Sequence, residues 1–345
     1  MLQVVRHIVL ITLLTSNNIY ASAPAESNKL TATLFSQLPD NCPTPDAFDI
    51  APDGSLTLTC PNYSNRKLEG ELFSLDKNGN VTHLATVPRI DKNNKANPMG
   101  LAYGPDGALY VADSRGPKHG RILKLTFEGK KIVSSDIVAS GLNPNGLRYH
   151  QGYLYATQPK MPRVKTTKST SVVYRFKASD RNIKVTNTLA DENIIFSVET
   201  QNPDRQFGLD GLVFDQKGHL YTTDFGDGII YKLTLDQQKS VQTQELYAQV
   251  PNTVGVDGMA IDLKGNLYLA GFSQNQILKV NTQGAVSIIA DYPDNDGSNG
   301  QLDQPADLIV YEDKLIISNF DLMVSKGMLN TKHSKPYTLS VIDLK

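Results

Sequence analysis

The chain has no tryptophan, two cysteines and six histidines in 345 residues. Cys42 and Cys60 both fall in the first of the repeats described below, 18 positions apart, a spacing that argues against a metal or redox site. Neither sign of charge is in excess, with 34 Lys and Arg against 35 Asp and Glu. That balance argues against a general nucleic-acid or membrane-surface binder. Helical periodicity is scarce, and the single strongly apolar run, Ile8 to Leu14, is too short to span a bilayer. No serine lies in a G-x-S-x-G elbow, and no Gly-rich phosphate loop opens a helix. No histidine pair offers a catalytic dyad: His83 falls in an outer hairpin, His150 and His219 at turns, and only His119 and His333 on longer loops.

What the chain has is one phrase written six times. It reads PDAFDIAPDGSLTLTC from Pro45, PMGLAYGPDGALYVADS from Pro98 and PNGLRYHQGYLYATQ from Pro144. It continues as LDGLVFDQKGHLYTTD from Leu209, VDGMAIDLKGNLYLAG from Val256 and PADLIVYEDKLIISN from Pro305. Each copy is an apolar strand, a tight turn and a β-branched or aromatic return strand. In the fourth copy Gly218 supplies the positive φ that the turn requires. Alignment places Asp46, Met99, Asn145, Asp210, Asp257 and Ala306 at one position, at intervals of 53, 46, 65, 47 and 49 residues. A second hairpin follows each copy, as in GRILKLTFEGKKIVSSDIV from Gly120. Units of about 45 residues with four short strands each predict an all-β chain, a six-bladed β-propeller over residues 26–345. Asn28 to Leu38 and Tyr337 to Leu344 read as strands that close the ring between the two termini, removing free sheet edges.

Residues 1–25 read as a secretory signal peptide. Arg6 precedes the apolar run, and small residues follow at Ala21, Ser22, Ala23 and Ala25, with cleavage placed after Ala25. The expectation is an exported protein, periplasmic or secreted, with no membrane contact in its mature form. Export permits a Cys42–Cys60 disulfide pinning the chain to the first blade; two free thiols are the alternative.

The topology decides which residues meet. Asp46, Asn145, Asp210 and Asp257 head innermost strands and so ring one mouth of the central channel. Asp113, Asp224 and Asn319 end the second strands and return toward the same face. Long loops cover it, among them Pro159–Thr170, which carries the basic stretch Lys160 to Lys168, and Phe320–Pro336. That stretch is either a solvated loop or a screen for an anionic ligand. Three carboxylates and an amide on one axis repel one another unless an ion joins them. All-oxygen donors suit Ca2+ first, with Mg2+, Mn2+ and, less favourably, Zn2+ left open. The competing reading is that Asp-Gly only shapes strand starts by side-chain-to-backbone hydrogen bonds.

With NPNGL at Asn143–Leu147, LDGLVFD at Leu209–Asp215 and VDGMAIDLKGNLYLA at Val256–Ala270, the chain resembles the gluconolactonase/regucalcin-like propellers. More distantly it resembles the paraoxonases and strictosidine-synthase-like proteins. The resemblance implies a divalent ion in the channel held by Asp46, Asn145, Asp210 and Asp257. It also shows departures: Asp46 is shorter than the usual glutamate, and Asp210 stands where an amide is common. Met99 replaces the histidine of paraoxonases, and the repeat tryptophan is missing. The function this implies is hydrolysis of a small-molecule lactone or related ester by a monomer. The ion polarises the carbonyl, and Asp257 or Asp210 takes a proton from water. The alternative is a non-catalytic propeller that binds a ligand or protein around a structural ion.

Overall fold

Every repeat folds into a small antiparallel sheet, and six such sheets close into a ring, a six-bladed β-propeller. The structure, a computed structural model, describes residues 25–26, 29–322 and 324–345. Of the expected signal segment, residues 1–25, all but the last lie outside the described residues, and among those described no helix forms. The innermost strands are Phe48–Ile50, Pro98–Tyr103, Leu147–His150, Leu209–Phe214, Val256–Ile261 and Pro305–Tyr311. Each contacts the next around the axis, and the sixth returns to the first.

The ring closes as the terminal sequences suggested. Ala32–Gln37 pairs antiparallel with Thr338–Asp343 and becomes the outer strand of blade 6. Second strands such as Leu56–Cys60 and Leu267–Gly271 are buried along their whole length, because neighbouring blades cover both faces. The outer strand Val241–Gln249 is largely exposed, as a sheet edge facing water should be. Six apolar clusters fill the six blade-to-blade interfaces. In place of tryptophan, buried tyrosine and phenylalanine supply the bulk, with Tyr110, Tyr155, Tyr174, Phe73 and Phe176 fully enclosed.

The longest repeat interval is explained by an excursion: Ile183–Lys184 leaves blade 3 and adds a parallel strand to the outer edge of blade 2. Cys42 and Cys60 form the disulfide, both fully buried, with Cα atoms 5.3 Å apart. Gly218 takes φ +82° at its turn. Asp215 Oδ1 holds that turn by accepting from the Lys217 and His219 N–H groups.

Candidate functional site

The strand heads owe their aim to a recurring irregularity. In blades 2, 4, 5 and 6 the register of the inner hairpin slips between Pro98 and Leu101, Leu209 and Leu212, Val256 and Met259, and Pro305 and Leu308. Two residues thus oppose one, a β-bulge that bends the strand and redirects the side chains at 210 and 257. Blades 1 and 3 repeat the pattern through hydrogen bonds. Asp46 N donates to Thr59 O while Thr59 N donates to Ala47 O, and Asn145 N donates to Thr157 O while Thr157 N donates to Gly146 O.

The glycine after each site residue is explained by crowding at the axis. A Cβ on Gly211 would lie 2.5 Å from Asp257 O, and one on Gly258 would lie 2.7 Å from Ala306 O. Asp-Gly therefore does not shape a turn here, since neither glycine has positive φ; the glycine lets neighbouring blades touch. Hydroxyls of the second strands lock the ring. Thr157 donates to Asp210 O at 2.6 Å, and Thr223 donates to Asp257 O at 3.1 Å.

The four expected residues come together: Asp46, Asn145, Asp210 and Asp257 line one narrow hollow in the channel. Two partners were not anticipated from the sequence. Asp307 occupies the slot where four other blades carry glycine, and Arg148 lies three residues beyond Asn145. Asp307 Oδ2 accepts from Phe48 N at 3.3 Å and faces Arg148 Nη2 at 3.8 Å, while its buried Oδ1 has no hydrogen-bond partner.

Burial governs the electrostatics. It pushes the Asp210 carboxyl up to about 8, opposed by a hydrogen bond with Asp257 and reinforced by the Asp307 and Asp224 charges. Asp257 and Asp46 are held well above the usual carboxylate range, first by burial and then by neighbouring carboxylates. By surface Asp257 is only partly covered, because it faces the mouth, yet its carboxyl lies deep enough to be desolvated. Burial raises Asp307 to about 6, opposed mainly by Arg148. Asp210 disfavours the ionised form of Asp257, so the two titrate as a pair.

Other expected neighbours serve the scaffold. Asp113 pairs with Arg121 at 3.0 Å, Asp224 accepts from the Gly226 and Asp227 N–H groups, and Asn319 donates to Thr338 and Ser340. No histidine lines the mouth among the described residues; His333 stacks on Tyr337 and His219 pairs with Asp215. The basic stretch stays outside the cavity, anchored by the buried Met161, whose N–H donates to Thr170 O.

Above the carboxyls opens a cavity of about 490 Å³. Five aromatic rings line it: Tyr63, Phe207, Phe225, Phe272 and Phe320. Met99, the departure from the paraoxonase pattern, also faces this space. The 320–336 loop folds over the rim, its Leu329 N–H donating to Ser273 O and its Gly327 O accepting from Arg205 and Gln274.

Among the described residues no three His, Cys, Asp or Glu side chains are drawn into a ligand cluster. The donors present nonetheless suit a hard cation in kind. They are all oxygen, the hollow they line is about 20 Å³, room for one water-sized species, and Asp307 Oδ1 is buried without a partner.

Residues 130–298 match the family described as the SMP-30/Gluconolactonase/LRE-like region. That segment is an SMP-30/gluconolactonase/LRE-like region. The SMP-30/gluconolactonase/LRE-like segment carries Asn145, Asp210 and Asp257 but stops short of Asp307 and excludes Asp46. No curated protein matches the chain by sequence. Among solved structures, a luciferin-regenerating enzyme superposes with TM-score 0.61 at 14% identity, covering 91% of this chain and 97% of its own. A calcium-binding protein, regucalcin, from Agrobacterium tumefaciens gives 0.59 at 14%, covering 92% and 95%. A gluconolactonase from Xanthomonas campestris gives 0.56 at 14%, covering 94% and 97%. At such identity these likenesses establish the fold.

Proposed function

We propose that the protein is an exported, divalent-metal-dependent hydrolase of lactones or related esters. The observation that carries this reading is the convergence of Asp46, Asn145, Asp210 and Asp257 at the floor of a small-molecule-sized cavity. The family likeness of residues 130–298, and neighbours described as a gluconolactonase and a calcium-binding regucalcin, support it. Asp46, Asn145, Asp210 and Asp257 would hold the ion, Ca2+ by preference. When bound, it supplies Lewis-acid polarisation of the substrate carbonyl.

The chain's own residues supply the proton chemistry. The ionised member of the Asp210–Asp257 pair takes a proton from water as the water oxygen bonds to the carbonyl carbon. The ring C–O bond then breaks, and the same pair returns the proton to the departing alkoxide. The mouth loops and aromatic wall exclude water around the reacting ester. Asp257→Asn tests the assignment: turnover should be lost while the protein stays folded, and unchanged turnover would remove Asp257 from the mechanism.

A second reading, a non-catalytic binding propeller around a structural ion, is favoured by Met99, which faces the cavity where paraoxonases carry a histidine. Asp46→Ala and Asn145→Ala separate the two. Loss of metal with the melting temperature kept fits a catalytic ion, whereas collapse of both fits a structural one.

A further inference from the structure

The wall of the mouth has a composition that the carboxyls on its floor do not explain. The residue just past the second strand of a blade faces the cavity in five of the six blades: Ser114, Pro159, Phe225, Phe272 and Phe320. On three consecutive blades that residue is phenylalanine. With Tyr63 and Phe207 these rings form a continuous arc, with centroids 5.6 Å apart for Phe207–Phe225 and 5.8 Å for Phe225–Phe272. The arc continues at 5.9 Å for Phe272–Phe320 and 6.2 Å for Tyr63–Phe320. Phe207 at the rim keeps 39% of its surface exposed, an uncovered aromatic at the opening of the cavity.

Several polar groups of the wall are already engaged with the protein. Asn143 Oδ1 accepts from Ser114 Oγ and Gly116 N, and the Tyr63 hydroxyl donates to Ser114 O. Arg205 donates to the carbonyls of Asn252, Thr253 and Gly327, with its guanidinium 5.3 Å from the Phe225 ring. A polyhydroxylated ring placed against the aromatic arc would lose water from hydroxyls that the rings cannot pair, each weakening binding by roughly 5- to 100-fold. An apolar group would instead displace water from aromatic surface.

We infer that the substrate is a lactone or ester bearing a sizeable apolar group, aryl or acyl chain, that lies in the aromatic arc while its carbonyl reaches the carboxyls below. This rests on the hydrolase reading for the reaction, while the ligand class rests on the wall alone. A cavity of about 490 Å³ accommodates such a molecule whole.

The test uses the Ca2+-loaded full protein and γ-lactones whose alkyl substituent grows one carbon at a time, with glucono-lactone as the hydroxylated comparison. The matching non-hydrolysable lactams are titrated by calorimetry. The expected result is a kcat/KM that rises roughly 4-fold per added methylene until the arc is filled, with glucono-lactone the poorest. Phe272→Ala should cut the ratio of long-chain to unsubstituted turnover at least tenfold, and Phe207→Ser at the rim gives the same readout if the first variant does not fold. Equal or better turnover of glucono-lactone, or no dependence on chain length, overturns the inference. If no lactone is hydrolysed but the alkyl lactams bind in preference to the hydroxylated one, the ligand class stands and the hydrolase reading falls. If neither lactam binds, the inference falls as well.

Discussion

Asp210→Asn isolates the central electrostatic feature of the channel. The folded protein holds this carboxyl at about 8, chiefly through burial, whereas an aspartate in an unfolded chain titrates near 4. Between those values the native state binds more protons than the unfolded state, so the group makes stability fall as pH rises. One pH unit of difference corresponds to about 1.4 kcal/mol, which sets a ceiling of roughly 6 kcal/mol. Because Asp257 titrates together with it, a working figure for Asp210 alone is about 2–4 kcal/mol. In chelator, wild type should therefore melt lower at pH 8.5 than at pH 5. The variant, with no charge to bury at that position, should melt higher than wild type at pH 8.5 by roughly 4–8 °C and close to it at pH 5. Added Ca2+ should raise the wild type at pH 8.5 more than the variant, because the ion removes the same repulsion. Thermal melts read by far-ultraviolet dichroism suffice. A variant less stable than wild type at pH 8.5 without metal would refute the argument that these carboxyls repel one another in a dry channel.

Three further predictions probe the scaffold. Gly211→Ala places a Cβ 2.5 Å from Asp257 O and should destabilise the protein by about 1–3 kcal/mol or more in urea melts. Cys42→Ser opens a buried bridge of sequence separation 18 and should cost about 3 kcal/mol; a loss below 1 kcal/mol would show that the bridge does not tie down the first blade. Asp303 is buried with an unpartnered Oδ1, and burial together with Asp321 and other acids raises its carboxyl to about 8. Asp303→Asn should therefore stabilise the protein at pH 8 by about 1–3 kcal/mol and flatten the fall in stability from pH 4 to pH 8.

The propeller was legible because six copies of one phrase share a register, and only a ring of like sheets needs that spacing. The same register exposed Asp46, Asn145, Asp210 and Asp257, since a residue at the head of an inner strand has only the axis to face. Asp307 escaped because it sits one place past the aligned Ala306, in a slot held by glycine in four blades. Reading that slot as a position in its own right would have found it. Arg148 escaped because it belongs to a deeper level of the channel, three residues into its strand. The arc of Phe225, Phe272 and Phe320 was written in the sequence as the residue after each second strand, in TTDF, LAGF and ISNF. Nothing in one blade alone marks those rings as neighbours. The ring glycines read as turn formers locally, and only the contact between adjacent blades shows that close approach is what they serve.

The measurement that bears most directly on the account is hydrolysis of a lactone panel by the purified protein, before and after chelation and with Ca2+ restored. The account predicts turnover that disappears with chelator, returns with Ca2+ and is absent in Asp257→Asn under every condition. Turnover indifferent to chelator, or metal binding without hydrolysis of any lactone, would contradict it.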